Sequence, residues 1–133
     1  MKIALVTLDY PPERGGVARY LGNLVEASRG SIEVFVPEYH IPSGPGKVQN
    51  VPFFASGPVP WRPLIWHLYQ LKKRGYDLVL VSHALPVGTA AWLARLMGGL
   101  PYVVLLHGLD VRLAMRSWHK TWILRRLLRV ARI

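Results

Sequence analysis

Apolar residues follow two rhythms along this 133-residue chain. Residues 2–8, KIALVTL, form a nearly unbroken apolar run, and SIEVFVP, YDLVLVS and PYVVLL repeat it further on. A run without polar alternation buries both faces of a strand, as inside a parallel sheet. Between these runs the spacing turns helical. Val17, Tyr20, Leu21, Leu24 and Val25 recur at i, i+3, i+4, i+7 and i+8, which predicts a helix over about 16–28, ended by Gly30. After PVPWRP, the residues Leu64, Ile65, Leu68 and Leu71 make a second stripe, with Lys72, Lys73 and Arg74 at its C-terminal end, where cations suit the helix dipole. A third helix is predicted over about 86–97, stopped by Gly98 and Gly99, and the pattern after HGLD is helical to the end. A weaker strand in VQNVPFF contains Pro52, which places it at a sheet edge or a bulge.

Strand and helix therefore alternate, with connections too long for hairpins between most strands. That order implies βαβ units and right-handed crossovers. The expected fold is α/β: a Rossmann-like, doubly wound, mainly parallel sheet with helices on both faces, in one domain over residues 1–133. Half the residues are apolar, enough for a real core and against disorder. No cysteine is present, which removes disulfides, thiolate nucleophiles and Cys-based metal sites and fits a reducing compartment. The longest apolar runs fall short of the roughly 20 residues needed to cross a bilayer, and acidic Asp9 and a turn follow MKIALVTL where a cleavage site would stand. The expected location is cytoplasmic.

Charge changes the picture next. Seventeen Lys and Arg against seven Asp and Glu give a formal +10, which predicts attraction to an anion: nucleic acid, a phosphorylated ligand or a membrane surface. Arg112, Arg116, Lys120, Arg125, Arg126, Arg129 and Arg132 crowd the last stretch of chain. No helix-turn-helix, zinc finger or RNA-binding aromatic signature is present, which counts against nucleic acid.

Candidate chemistry lies where strands end, because ligands of open α/β sheets sit outside the carboxyl ends of the strands. Three segments put unusual residues there: 9–16, 82–86 and 107–110. In DYPPERGGVARY, Gly15 and Gly16 stand where a loop becomes a helix, so their N–H groups can approach an anion at the positive helix end; the same pair also permits a plain tight turn. Neither the dinucleotide fingerprint nor the P-loop pattern is matched. In HGLD, His107 ends a buried strand, Gly108 lets the backbone turn close to a bound group, and Asp110 can orient a hydroxyl or cap a helix. His83 ends another strand and is placed on an acceptor-pocket wall. His40, His67 and His119 have no partners at metal-ligand spacing, and no nucleophile elbow appears, so no metal site and no covalent serine chemistry are expected.

The motifs LDYPPERGGVARYLGNLVEAS, YDLVLVSHALPVGTAAWLARLMGGLPYVVLLHGLDV and LRRLLRVARI, in this order, resemble the N-terminal half of a family-four glycosyltransferase of the GT-B fold. The resemblance implies a nucleotide-sugar-dependent, retaining transferase whose N-terminal domain holds the acceptor and whose C-terminal domain holds the nucleotide. It implies that Gly15 and Gly16 offer N–H groups to the donor diphosphate and that the catalytic His107 contacts the transferred sugar. Asp9, Glu13, Arg19, His83, Gly108 and Asp110 would support the site or line the acceptor pocket. No cofactor or metal is implied; the partners are a nucleotide-diphosphate sugar and a saccharide or lipid-linked acceptor. RRLLRVARI ends where the family continues into another strand, so the expectation is a fragment that lacks its last strand or strands and its C-terminal domain, and is inactive alone.

On a projection of about 100° per residue, Arg125, Arg126, Arg129 and Arg132 share one side of the last helix with Trp118 and Trp122, while Ile123, Leu124, Leu127, Leu128, Val130 and Ala131 share the other. Arginine beside tryptophan suits an anionic membrane surface, and peripheral attachment at the inner face of the membrane is one expectation. An ordinary amphipathic helix packed on the sheet is the other. The competing functional reading is a basic α/β binding module that docks on an anionic membrane or a phosphorylated ligand without catalysis.

Overall fold

The four apolar runs and the proline-bearing segment all become strands. The computed structural model describes residues 2–8, 10, 16–37, 46–53, 61–82, 87–105 and 118–130. Within them the strands are β1 (Ile3–Val6), β2 (Ile32–Pro37), β3 (Lys47–Val51), β4 (Leu78–Val81) and β5 (Tyr102–Val104). The helices are α1 (Gly16–Ala27), α2 (Arg62–Leu71), α3 (Thr89–Leu96) and α4 (Trp118–Val130). The strands form one sheet in the order β3-β2-β1-β4-β5, and every neighbouring pair is parallel. The chain belongs to the α/β class, with a Rossmann-like arrangement.

The two core layers explain the winding. Leu5, Val34 and Val36 point to one face of the sheet and pack with Leu21 and Val25 of α1. Ala4, Val6, Phe35, Val79 and Val81 point to the other, against Leu64, Leu68 and Leu71 of α2 and Ala90, Ala91 and Ala94 of α3. The chain moves one way along the sheet through α1 and the opposite way through α2 and α3. Crossovers of a single hand then require α1 on one face and α2 with α3 on the other, which is the arrangement found. α4 packs against α3 and extends that second helical layer.

α1 departs from the sequence pattern. Its buried residues are Ala18, Leu21, Gly22 and Val25, while Tyr20 is 52% exposed. The inward stripe is rotated toward the small residues Ala18 and Gly22, which let the helix backbone approach the sheet closely. Tyr20, expected on the core side, is left outside. The third helix opens as the pattern predicts, with a wider π-type turn at Val87 and Gly88 that sinks Val87 into the core before α3 proper begins at Thr89. Edge strand β3 carries an exposed Lys47 and is followed by Pro52, two features that discourage pairing with another chain. No helix among the described residues is long and apolar enough to cross a membrane.

Candidate functional site

β1 lies at the centre of the sheet, with β2 on one side and β4 on the other. The connections leaving β1 and β4 lead to opposite sides of the sheet, so the carboxyl ends of these two strands form the topological switch point, the place where ligands of open α/β sheets bind. The strand ends are closely aligned. Thr7 N–H donates to the Phe35 carbonyl at 3.2 Å, Ser82 N–H to the Val6 carbonyl at 3.3 Å and Leu105 N–H to the Val81 carbonyl at 2.8 Å. Each bond carries the ladder one residue past a strand, so β1, β4 and β5 release their loops along one rim.

Two buried hydroxyls lock that rim. Ser82 Oγ donates to Thr7 Oγ1 at 2.7 Å, and both residues are fully buried. A hydroxyl pair at the ends of two otherwise apolar runs fixes the spacing of β1 and β4 at their carboxyl ends. Tyr10 anchors the first loop from the other side. It is fully buried in the α1-facing core, and desolvation pushes its phenol up to about 12, so it stays neutral. Sequence reasoning passed over Thr7 and Tyr10. The signal for Thr7 was a hydroxyl residue directly after the apolar IALV, as Ser82 directly follows LVLV.

Gly16 opens α1 and is exposed. It is not among the glycines with positive φ, and a Cβ built on it meets nothing within 4 Å. Neither backbone conformation nor packing against the described residues therefore demands glycine at position 16. Arg19 sits exposed in the first turn of the same helix. Of the other residues read from the sequence, Asp9, Glu13, Gly15, His83, His107, Gly108, Asp110 and Arg132 lie outside the described residues. In the sequence Ser82 directly precedes His83 and Leu105 stands two before His107; Ser82 and Leu105 themselves follow the adjoining strands β4 and β5 at the rim.

Residues 14–133 match the family model for Glycosyltransferase Family 4. The chain belongs to glycosyltransferase family 4. Among curated proteins none matches it. The match covers every element from α1 onward, and the all-parallel sheet is that of an N-terminal half of the GT-B fold. A glycosyltransferase-type function follows for this family-four domain. The rim of β1, β4 and β5 is its candidate site.

On the last helix, the described tryptophans and arginines lie at the surface, while the side chains of Leu124, Leu127, Leu128, Val130 and Ala131 lie outside the described residues. Trp118 and Trp122 are 75% and 52% exposed, and Arg125, Arg126 and Arg129 are exposed beside them. The Arg126 guanidinium lies 5.1 Å from the Trp122 ring centre. His67 lies on α2, packed against the core on the face opposite α1. Its ring meets Phe35 edge-on at 4.9 Å, and its Nε2 is buried without a hydrogen-bond partner among the described residues. Burial, helped by the Arg74 charge, pushes its imidazole down to about 4. It is a packed, neutral ring rather than a proton donor at neutral pH.

Proposed function

We propose that this domain is the acceptor side of a nucleotide-sugar-dependent, retaining glycosyltransferase. The observation that carries the reading is the switch point between β1 and β4, present in a family-four chain, with the first turn of α1 opening beside it. Backbone N–H groups at Gly15 and Gly16, with the positive end of α1 behind them, receive the donor diphosphate and stabilise the negative charge that grows as it leaves. His107 contacts the sugar near the carbon that is transferred, and Asp110 and Gly108 hold its loop. Asp9, Glu13, Arg19 and His83 line the acceptor side of the same crevice. The nucleotide is held by a C-terminal domain that closes over this rim, and neither metal nor cofactor takes part.

Amide chemical shifts of the chain during titration with uridine and guanosine diphosphates, and with their sugar conjugates, test this. Gly16, Val17, Ser82 and Leu105 are expected to move together and to saturate. A response confined to α2 and α4, or none at saturating nucleotide, would reject a donor site on the rim. The second reading, a binding module without catalysis, is favoured by the charge of the chain alone. It predicts no response at the rim.

A further inference from the structure

The charge of this protein is divided unevenly. Residues 61–133 hold 12 Lys and Arg against two carboxylates, Asp77 and Asp110, whereas residues 1–60 hold five of each, so the whole formal +10 belongs to the second part. Asp77 is engaged at the amino end of the sheet, where its Oδ2 accepts the Lys2 backbone N–H at 2.7 Å. α2, α3 and α4 contain no Asp or Glu. The layer they form is therefore uniformly basic, while α1 across the sheet carries both Arg19 and Glu26.

Exposed apolar surface gathers on the same layer. Of the six large apolar side chains most exposed among the described residues, Trp66, Leu96, Met97, Trp118 and Trp122 belong to it, and only Tyr20 lies elsewhere. The two outer helices share one design. Arg62, Trp66, Tyr69 and Lys73 recur at i, i+4, i+7 and i+11 on and just past α2; Trp118, Trp122, Arg125 and Arg129 repeat that spacing on α4. Each stripe mixes rings with cations on one helix face. Trp66 stacks on Tyr69 with ring centres 6.0 Å apart, and Lys73 lies 5.8 Å from the Tyr69 ring. On α4, Trp122, Arg125, Arg126 and Arg129 line a basin of about 220 Å³.

We propose that the outer surface of α2, α3 and α4 docks on an anionic lipid bilayer. The guanidinium and ammonium groups meet phosphate-bearing headgroups, and the basin on α4 seats one of them between its three arginines. Trp66, Trp118 and Trp122 lie at the boundary between headgroup and hydrocarbon, where an indole has an apolar body to bury and an N–H to keep wet. A solvated charged face explains the arginines but not three exposed tryptophans beside exposed Leu96 and Met97. Nucleic acid would use the cations and the rings but has no use for the two aliphatic side chains. The inference rests on charge and exposure and is independent of the sugar chemistry at the rim.

Flotation with phosphatidylcholine vesicles, with and without phosphatidylglycerol, tests it. The protein is expected to float only with the anionic vesicles, to be released as salt rises, and to show a blue shift of tryptophan emission when bound. Arg125→Gln and Arg129→Gln should each weaken binding by roughly fivefold, and Trp122→Ala should reduce the blue shift. Arg29→Gln, beyond the far end of α1, should change neither. Equal recovery with both vesicle types overturns the proposal, as does release by an RNA oligomer at matched phosphate with no blue shift on vesicles. The salt titration of the unaltered protein gives the answer even if a variant fails to fold.

Discussion

At the scale of single residues, two glycines separate a ligand requirement from a packing requirement. Gly46 has φ +81°, and a Cβ there would stand 2.5 Å from Val25 Cγ1 of α1. Gly46→Ala should cost roughly 2–3 kcal/mol, from crowding and from the left-handed backbone together. Gly16 has neither constraint. Gly16→Ala should leave stability within about 1 kcal/mol of the parent or raise it, since alanine is the better helix former, while weakening the amide response to nucleoside diphosphate. Urea denaturation and the titration, run on the same two variants, check both statements. A large loss of stability in Gly16→Ala would return that glycine to a structural role. Both residues look alike in the sequence, as small residues beside a turn. Their difference depends on what lies across from them, and that is a tertiary fact.

At the scale of elements, the amino end of the sheet is held by a polar clasp that no motif announces. The Glu33 carboxylate on β2 accepts the Tyr76 hydroxyl and Gln49 Nε2, the latter at 3.1 Å, and pairs with Lys47 at 3.4 Å. Partial burial raises this carboxyl, but the Tyr76 bond and the Lys47 and Lys2 charges outweigh it and hold it below its usual range. The same burial and the Glu33 bond push the Tyr76 phenol up to about 12. Tyr76→Phe should cost about 1–2 kcal/mol and let the Glu33 carboxyl titrate at higher pH, which carboxyl NMR would read directly. An unmoved Glu33 would mean that the Lys47 and Lys2 charges hold it without the Tyr76 bond. The elements themselves were legible, because continuous apolar runs and 3.6-residue stripes survive in any context. The facing of α1 was not. Periodicity marked Tyr20 as inward, but close approach through Ala18 and Gly22 set the angle, and periodicity carries no information about which arc of an apolar stripe is nearest the sheet.

At the scale of the whole molecule, His67 links stability to pH. The unfolded chain takes up a proton near the ordinary 6.5, whereas the folded ring, buried against Phe35, does so only near 4. Between these values the unfolded state binds more protons, so stability falls as pH drops from 6.5 toward 4 and loses nothing more from this group below that. The loss is on the order of 1–2 kcal/mol once solvent screening is allowed for. His67→Leu should remove that slope and raise stability at pH 7, since it also deletes a buried nitrogen without a hydrogen-bond partner among the described residues. Denaturant midpoints from pH 7 to 4 decide the matter, and an unchanged slope in the variant would assign acid lability to Glu33 and its neighbours. By itself the sequence determined the class of fold, the alternation of strand and helix, the basic character and the family resemblance. These follow from local spacing and composition, which need no partner across space. Only the tertiary structure decided that β1 and β4 adjoin at a switch point, that Thr7 and Ser82 bond across it, and that exposed tryptophans and unopposed cations share one layer. Such facts depend on which strand lies beside which, and strand order is set by long-range packing that no local pattern encodes.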